Sequence, residues 1–261
     1  MSPFDNAARH DPSFIDFSLK GKVVMVTEAG PEDALGVPLA MAVAGAELAL
    51  TGNDAGELEK TMDELRTAGF AAQPFAMDFH DLGSVRAAVE AVAATFGRID
   101  VLVNHVGYNV PQLGLEVTEA DWAEIMQVNA TGPFFCAQAA GRHMVAARRG
   151  SVINVGTHTA VKANHRRAAY GAARAAMVQY TRNLALEWAE HGVRVNSVAP
   201  AIIKAHNLEL YPAMYEGMRQ RNPMKRFATE KEVAAAIQFL ASDASGFITG
   251  QVVSVDGGSA L

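Results

Sequence analysis

Along the chain, short runs of aliphatic and β-branched residues alternate with longer stretches whose apolar positions recur at helical spacing. The runs at 22–27 (KVVMVT), 46–51, 72–77, 99–104, 151–155, 193–198 and 251–255 predict seven strands. Most are continuously apolar, as expected of strands covered on both faces of a parallel sheet. The stretches 35–44, 55–68, 82–97, 119–146, 168–191 and 229–241 predict helices. Alternation of this kind over the whole length implies an α/β fold, a doubly wound parallel sheet with right-handed crossovers. Residues 1–20 read as an N-terminal leader and 21–261 as one domain. Within it, 201–228 is the least regular part and predicts a lid or substrate loop.

Composition narrows the function classes. The 261 residues are 50% hydrophobic, enough for one large domain with a substantial core. The net charge of −6 and the absence of a basic run argue against nucleic acid as a partner. No apolar run reaches the roughly 18 residues that a membrane span needs. The lone cysteine, Cys136, excludes an internal disulfide and fits a reducing compartment, so a cytoplasmic protein is expected.

The stretch Thr27–Gly36, TEAGPEDALG, lies between the first strand and the first helix, where dinucleotide-binding folds place phosphates on a helix N-terminus. It holds two glycines, Gly30 and Gly36, but also Glu28, Glu32 and Asp33. Asp33 is placed to cap the helix and so to occupy donors that would face phosphate. A carboxylate about 5 Å from a phosphate, at an effective dielectric of about 20, costs roughly 3 kcal/mol. A reshaped phosphate site and a turn whose acids face water are both open.

Longer motifs carry a resemblance. VLVNHVG, MQVNATGPFF, GSVINVGT, the run from Tyr170 to Pro200 and the run from Pro223 to Gly258 resemble the short-chain dehydrogenase/reductases, over about Leu19–Ser259. The resemblance implies a seven-stranded Rossmann sheet, commonly a homotetramer, and hydride transfer between a nicotinamide cofactor and a carbonyl or alcohol. It implies Tyr170 as the proton-transferring residue and Asn129 as part of a proton relay. Asp78 matches the acid that contacts adenine. Thr27, Gly30, Gly36, Asn53, Asn104, Gly107, Pro200 and Ile203 fall on the rest of the cofactor lining. The departures cluster on the same site. Thr157 stands in the catalytic serine position, Arg174 replaces the lysine one turn after the tyrosine, and Ala201 replaces the glycine after Pro200.

Threonine keeps the hydroxyl, and arginine keeps a charge able to favour a phenolate, but arginine cannot pass a proton on. Thr157, Tyr170, Arg174 and Asn129 therefore form the expected catalytic group of an oxidoreductase. A cofactor-free lyase like the halohydrin dehalogenases, which carry Ser-Tyr-Arg, is the alternative, followed by a non-catalytic subunit. The end of the second strand, Gly52 and Asn53, offers neither the acid typical of NAD sites nor the base typical of NADP sites, so NAD, NADP and no cofactor all stay open. His105, His158 and His206 follow strands, yet no spacing supports a metal. Arg166, Arg167 and Lys204 suggest a positive rim for an anionic small-molecule substrate.

Overall fold

The computed structural model describes residues 16–29, 36–201 and 212–261. Seven parallel strands form one sheet in the order β3-β2-β1-β4-β5-β6-β7. They are β1 (Val23–Val26), β2 (Glu47–Gly52), β3 (Ala72–Ala76), β4 (Val101–His105), β5 (Gly150–Val155), β6 (Val193–Pro200) and β7 (Val252–Val255). The strand order reverses between β1 and β4, which makes the crevice beyond their C-terminal ends the place for a ligand.

Side-chain alternation divides the sheet into two faces. Val24 and Val26 of β1 and Val101 and Val103 of β4 join one buried cluster, with Met41 of α1 (Gly36–Val43), Leu58 and Leu65 of α2 (Ala55–Thr67) and Ile237 of α8 (Glu230–Ala241). Val23, Met25 and Leu102 join the opposite cluster, with Val85 and Val89 of α3 (Leu82–Phe96), Met144 of α5 (Gly132–Ala147) and Leu184 of α6 (Ala168–Trp188). Burial on both faces explains why the strands lack polar alternation. The exceptions are the two edge strands: Gln73, Pro74 and Ala76 of β3 and Ser254 of β7 are exposed.

Every predicted strand and helix is present, and three expectations change. The stretch 119–146 is not one helix. α4 (Glu119–Met126) passes through a π-helical turn, Gln127–Thr131, into α5, and the wider i→i+5 winding there breaks the α-helical ladder. The stretch 201–228 contains a helix, α7 (Pro212–Arg221); residues 202–211 of the expected loop lie outside the described residues. Residues 16–20, assigned to the leader, dock on the domain: Leu19 is fully buried, Phe17 packs on Phe239, and the Phe17 carbonyl accepts from Gln238. No helix among the described residues is long and apolar enough to cross a membrane.

Candidate active site

α6 carries the two central side chains one turn apart. Tyr170 is half-buried against a small cluster of Ile125, Ala130, Ala169 and Ala173. The guanidinium carbon of Arg174 lies 5.2 Å from the centroid of its ring, so the expected shared face is present. Arg174 is 1% exposed. It donates to the Val155 carbonyl at 3.3 Å and to the Val106 carbonyl, tying the ends of β5 and β4 together. No carboxylate pairs with it among the described residues. A Cβ at Gly107 would stand 3.4 Å from its Nη2, so the bare glycine leaves room for the guanidinium. Burial, with the Arg174 charge, pushes His105 down to about 4, and the ring is neutral at physiological pH.

Thr157 has extended backbone and caps the short turn His158–Ala160. Among the described residues its hydroxyl makes only long contacts, accepting from the Thr159 amide at 3.4 Å and donating to the Thr159 hydroxyl at 3.5 Å. No described residue hydrogen-bonds the Tyr170 hydroxyl. The first turn of α6 abuts the Thr157 turn, since a Cβ at Gly171 would lie 3.7 Å from the Thr159 methyl. Asn129 sits in the π-helical turn, fully buried. Its amide donates to the Tyr108 and Ile125 carbonyls at 2.7 and 2.8 Å and accepts from the Tyr108 amide at 3.1 Å. The bulge thus aims one asparagine at the backbone of the loop after β4.

At the switch point, Thr27 is fully buried and its hydroxyl accepts from the His105 amide at 3.0 Å, linking β1 to β4. Asn104 lies beneath the crevice. It donates to the Pro133 carbonyl and to Asn154, which donates in turn to Thr181. Pro200 is buried at the end of β6 and its carbonyl faces His158. Gly36 opens α1 against α8, where a Cβ would stand 2.8 Å from that of Glu230. Asn53 is exposed, and Asp54 caps α2 through the amides of Gly56 and Glu57. Gly30, Asp33, Ile203, Lys204 and His206 lie outside the described residues. Arg166 and Arg167 line a separate cavity of about 470 Å³ with Gln112 and His165. Among the described residues no group of three or more His, Cys, Asp and Glu could hold a metal ion.

The sequence reading missed a cluster around Asp78. Its carboxylate accepts from the His80 amide at 2.8 Å and meets the His80 ring at 2.7 Å, while the other ring nitrogen lies 2.7 Å from Glu124. The His80 amide, ahead of the ring contact, holds Asp78 below its ordinary range; Glu124 and then Asp78 hold His80 above its own. Glu28 faces the same cluster with a positive φ of 50°, a conformation that favours glycine. Burial first, and then Asp78, push its carboxyl up to about 7, against the opposing pull of His80. Only the two-residue spacing of Asp78 and His80 hinted at this group.

Comparison with known proteins places the site in a family. The enoyl-(acyl carrier protein) reductase family model matches residues 34–260. The chain is 36% identical over 248 residues to a D-threitol dehydrogenase of Mycolicibacterium smegmatis, covering 93% of this chain and 94% of that protein. The chain belongs to the short-chain dehydrogenase/reductase family. It is an oxidoreductase that interconverts a carbonyl and an alcohol. Among solved structures, a gluconate 5-dehydrogenase from Burkholderia cenocepacia in complex with NADP and tartrate superimposes with a TM-score of 0.88 at 31% identity, covering 94% of this chain and 97% of that one. An NAD+-bound xylitol dehydrogenase superimposes with a TM-score of 0.87 at 28% identity, covering 92% and 99%.

Proposed function

We propose that Tyr170 is the acid/base of a nicotinamide-dependent dehydrogenase acting on a small polyhydroxylated substrate, with Thr157 and Asn129 beside it and Arg174 beneath. The observation that carries this is the Tyr170–Arg174 pair, 5.2 Å from guanidinium carbon to ring centroid, on a helix turn that abuts the turn carrying Thr157, whose hydroxyl makes only long contacts among the described residues. A bound nicotinamide supplies the hydride acceptor or donor. At the C-terminal ends of β4 and β5 the residues present suit such a group to this extent: His105 carries no competing charge, and Arg174, in the space beside Gly107, is held away from any described carboxylate by backbone carbonyls. In oxidation, Tyr170 takes the hydroxyl proton while Thr157 donates to the same oxygen. In reduction, both donate to the carbonyl oxygen. Arg174 is a guanidinium, which passes no proton on, so it orients the tyrosine ring without relaying protons. The dinucleotide is NAD or NADP, in keeping with the two cofactors of the related structures. The relatives include a dehydrogenase named for threitol and one named for gluconate, so they support polyols and sugar acids alike.

The test is steady-state oxidation of polyols and sugar acids with NAD+ and NADP+, alongside dinucleotide titration. Tyr170→Phe is expected to lower kcat by about 10²–10⁴ with dinucleotide affinity unchanged. Wild-type turnover in that variant contradicts the assignment.

A further inference from the structure

Beside Thr157, between the 158–164 segment and α7, lies a cavity of about 240 Å³ that the assignment above does not use. Its polar lining is His158, Lys162, Asn164, Arg221, Asn222 and Ser259, and no described carboxylate lines it. We propose that this cavity binds a carboxylate, and that the substrate is an anionic polyhydroxy acid rather than a neutral polyol; this rests on the dehydrogenase reading above.

The charges are unusual for this chain, whose net charge is −6. On and just after α7, Arg219 pairs with Glu216 at 2.6 Å and Arg226 pairs with Glu232 at 2.6 Å. Arg221 and Lys162 form no ion pair among the described residues. Arg221 spends its Nε on the Gly217 carbonyl at 3.1 Å, which fixes the stem and leaves both terminal nitrogens for a forked contact with a carboxylate. Lys162 donates one proton to the Ser259 carbonyl and keeps two. Two cations held by carbonyls, with no acid among the described residues that line the cavity, select an anion.

The remaining groups suit hydroxyls. His158 Nδ1 lies 3.3 Å from the Pro200 carbonyl, a pure acceptor, so that nitrogen carries a proton. Asn164 reaches His158 Nε2 at 3.5 Å and the Thr159 hydroxyl at 3.1 Å, and Thr159 meets Thr157 at 3.5 Å. A polar series therefore runs from the reactive hydroxyl into the cationic end of the cavity. The volume is below the roughly 300–1,000 Å³ of sites for drug-sized ligands, in keeping with a short-chain acid.

The experiment compares aldonates with the alditols of equal length, D-gluconate against D-glucitol and the four- and five-carbon pairs, by kcat/KM and by calorimetric binding. An acid preference that weakens with salt is expected. Lys162→Met and Arg221→Met are each expected to cut the acid-over-alditol ratio about tenfold through KM, with kcat little changed, as loss of one charge contact implies. Equal use of acids and alditols, or ratios that the variants do not move, overturns the carboxylate site and leaves the dehydrogenase standing. Failure to bind either dinucleotide or turn over any compound overturns the dehydrogenase reading. Calorimetry then decides the cavity by itself: gluconate affinity that drops about tenfold in the variants supports it, and absent or unchanged affinity overturns it.

Discussion

Replacing Glu28 with glutamine removes a carboxyl that burial and Asp78 push from 4.5 up to about 7. The sign follows from proton binding. Between 4.5 and 7 the folded chain holds a proton that the unfolded chain has lost, so this contribution is fully present below 4.5 and disappears as pH rises through 7. Ionising the folded carboxyl costs about 3 kcal/mol, and partial exposure trims the cost to roughly 2–3 kcal/mol. The groups that set it are Asp78, which opposes ionisation, and His80, which favours it and whose own pKa Glu124 and Asp78 raise. Glutamine keeps the shape and cannot ionise. Wild type and Glu28→Gln should therefore melt together near pH 4 and diverge above pH 6. By pH 8 the variant should be more stable by roughly 4–12 °C in Tm, at about 2–4 °C per kcal/mol for a domain of this size. Urea titrations at fixed pH give the same difference as free energy. Parallel Tm–pH curves, or a variant less stable than wild type at pH 8, refute the reasoning.

Other substitutions probe the packing that holds the site. Gly36→Ala drives a Cβ to 2.8 Å from that of Glu230, so α1 and α8 must part; a loss of roughly 1–3 kcal/mol by urea denaturation is expected. Arg174→Met removes a buried charge and the donors of two carbonyls, costing roughly 1–3 kcal/mol for each group left unpaired. The same variant should let His105 titrate above its present value of about 4 in an NMR titration, since Arg174 opposes its protonation. Asn129→Ala strands the Tyr108 amide and carbonyl, and should speed hydrogen exchange at Tyr108 and lower kcat.

Much of the frame was legible because burial on both faces writes itself as continuous apolar strands. The split of 119–146 was not legible, since a π-helical turn keeps helical periodicity while shifting its phase. α7 was hidden by a sequence rich in polar residues and methionine that shows little amphipathic pattern. Within the site, Tyr170 and Arg174 could be paired from their spacing alone, because four residues bring side chains together on any helix. Asp54 was read as a cap from its place before a helix, and it caps α2. The His80–Glu124 contact spans 44 residues and left no local trace.

The sequence by itself determined the alternation of strand and helix, the sheet they build, and the residue types at the proposed catalytic positions, all of which depend on neighbours a few residues apart. Only the tertiary structure decided which side chains share an electrostatic environment. Glu28 with Asp78, Arg174 with His105, and Lys162 with Arg221 come from separate elements, and charges interact through space and burial, not along the chain.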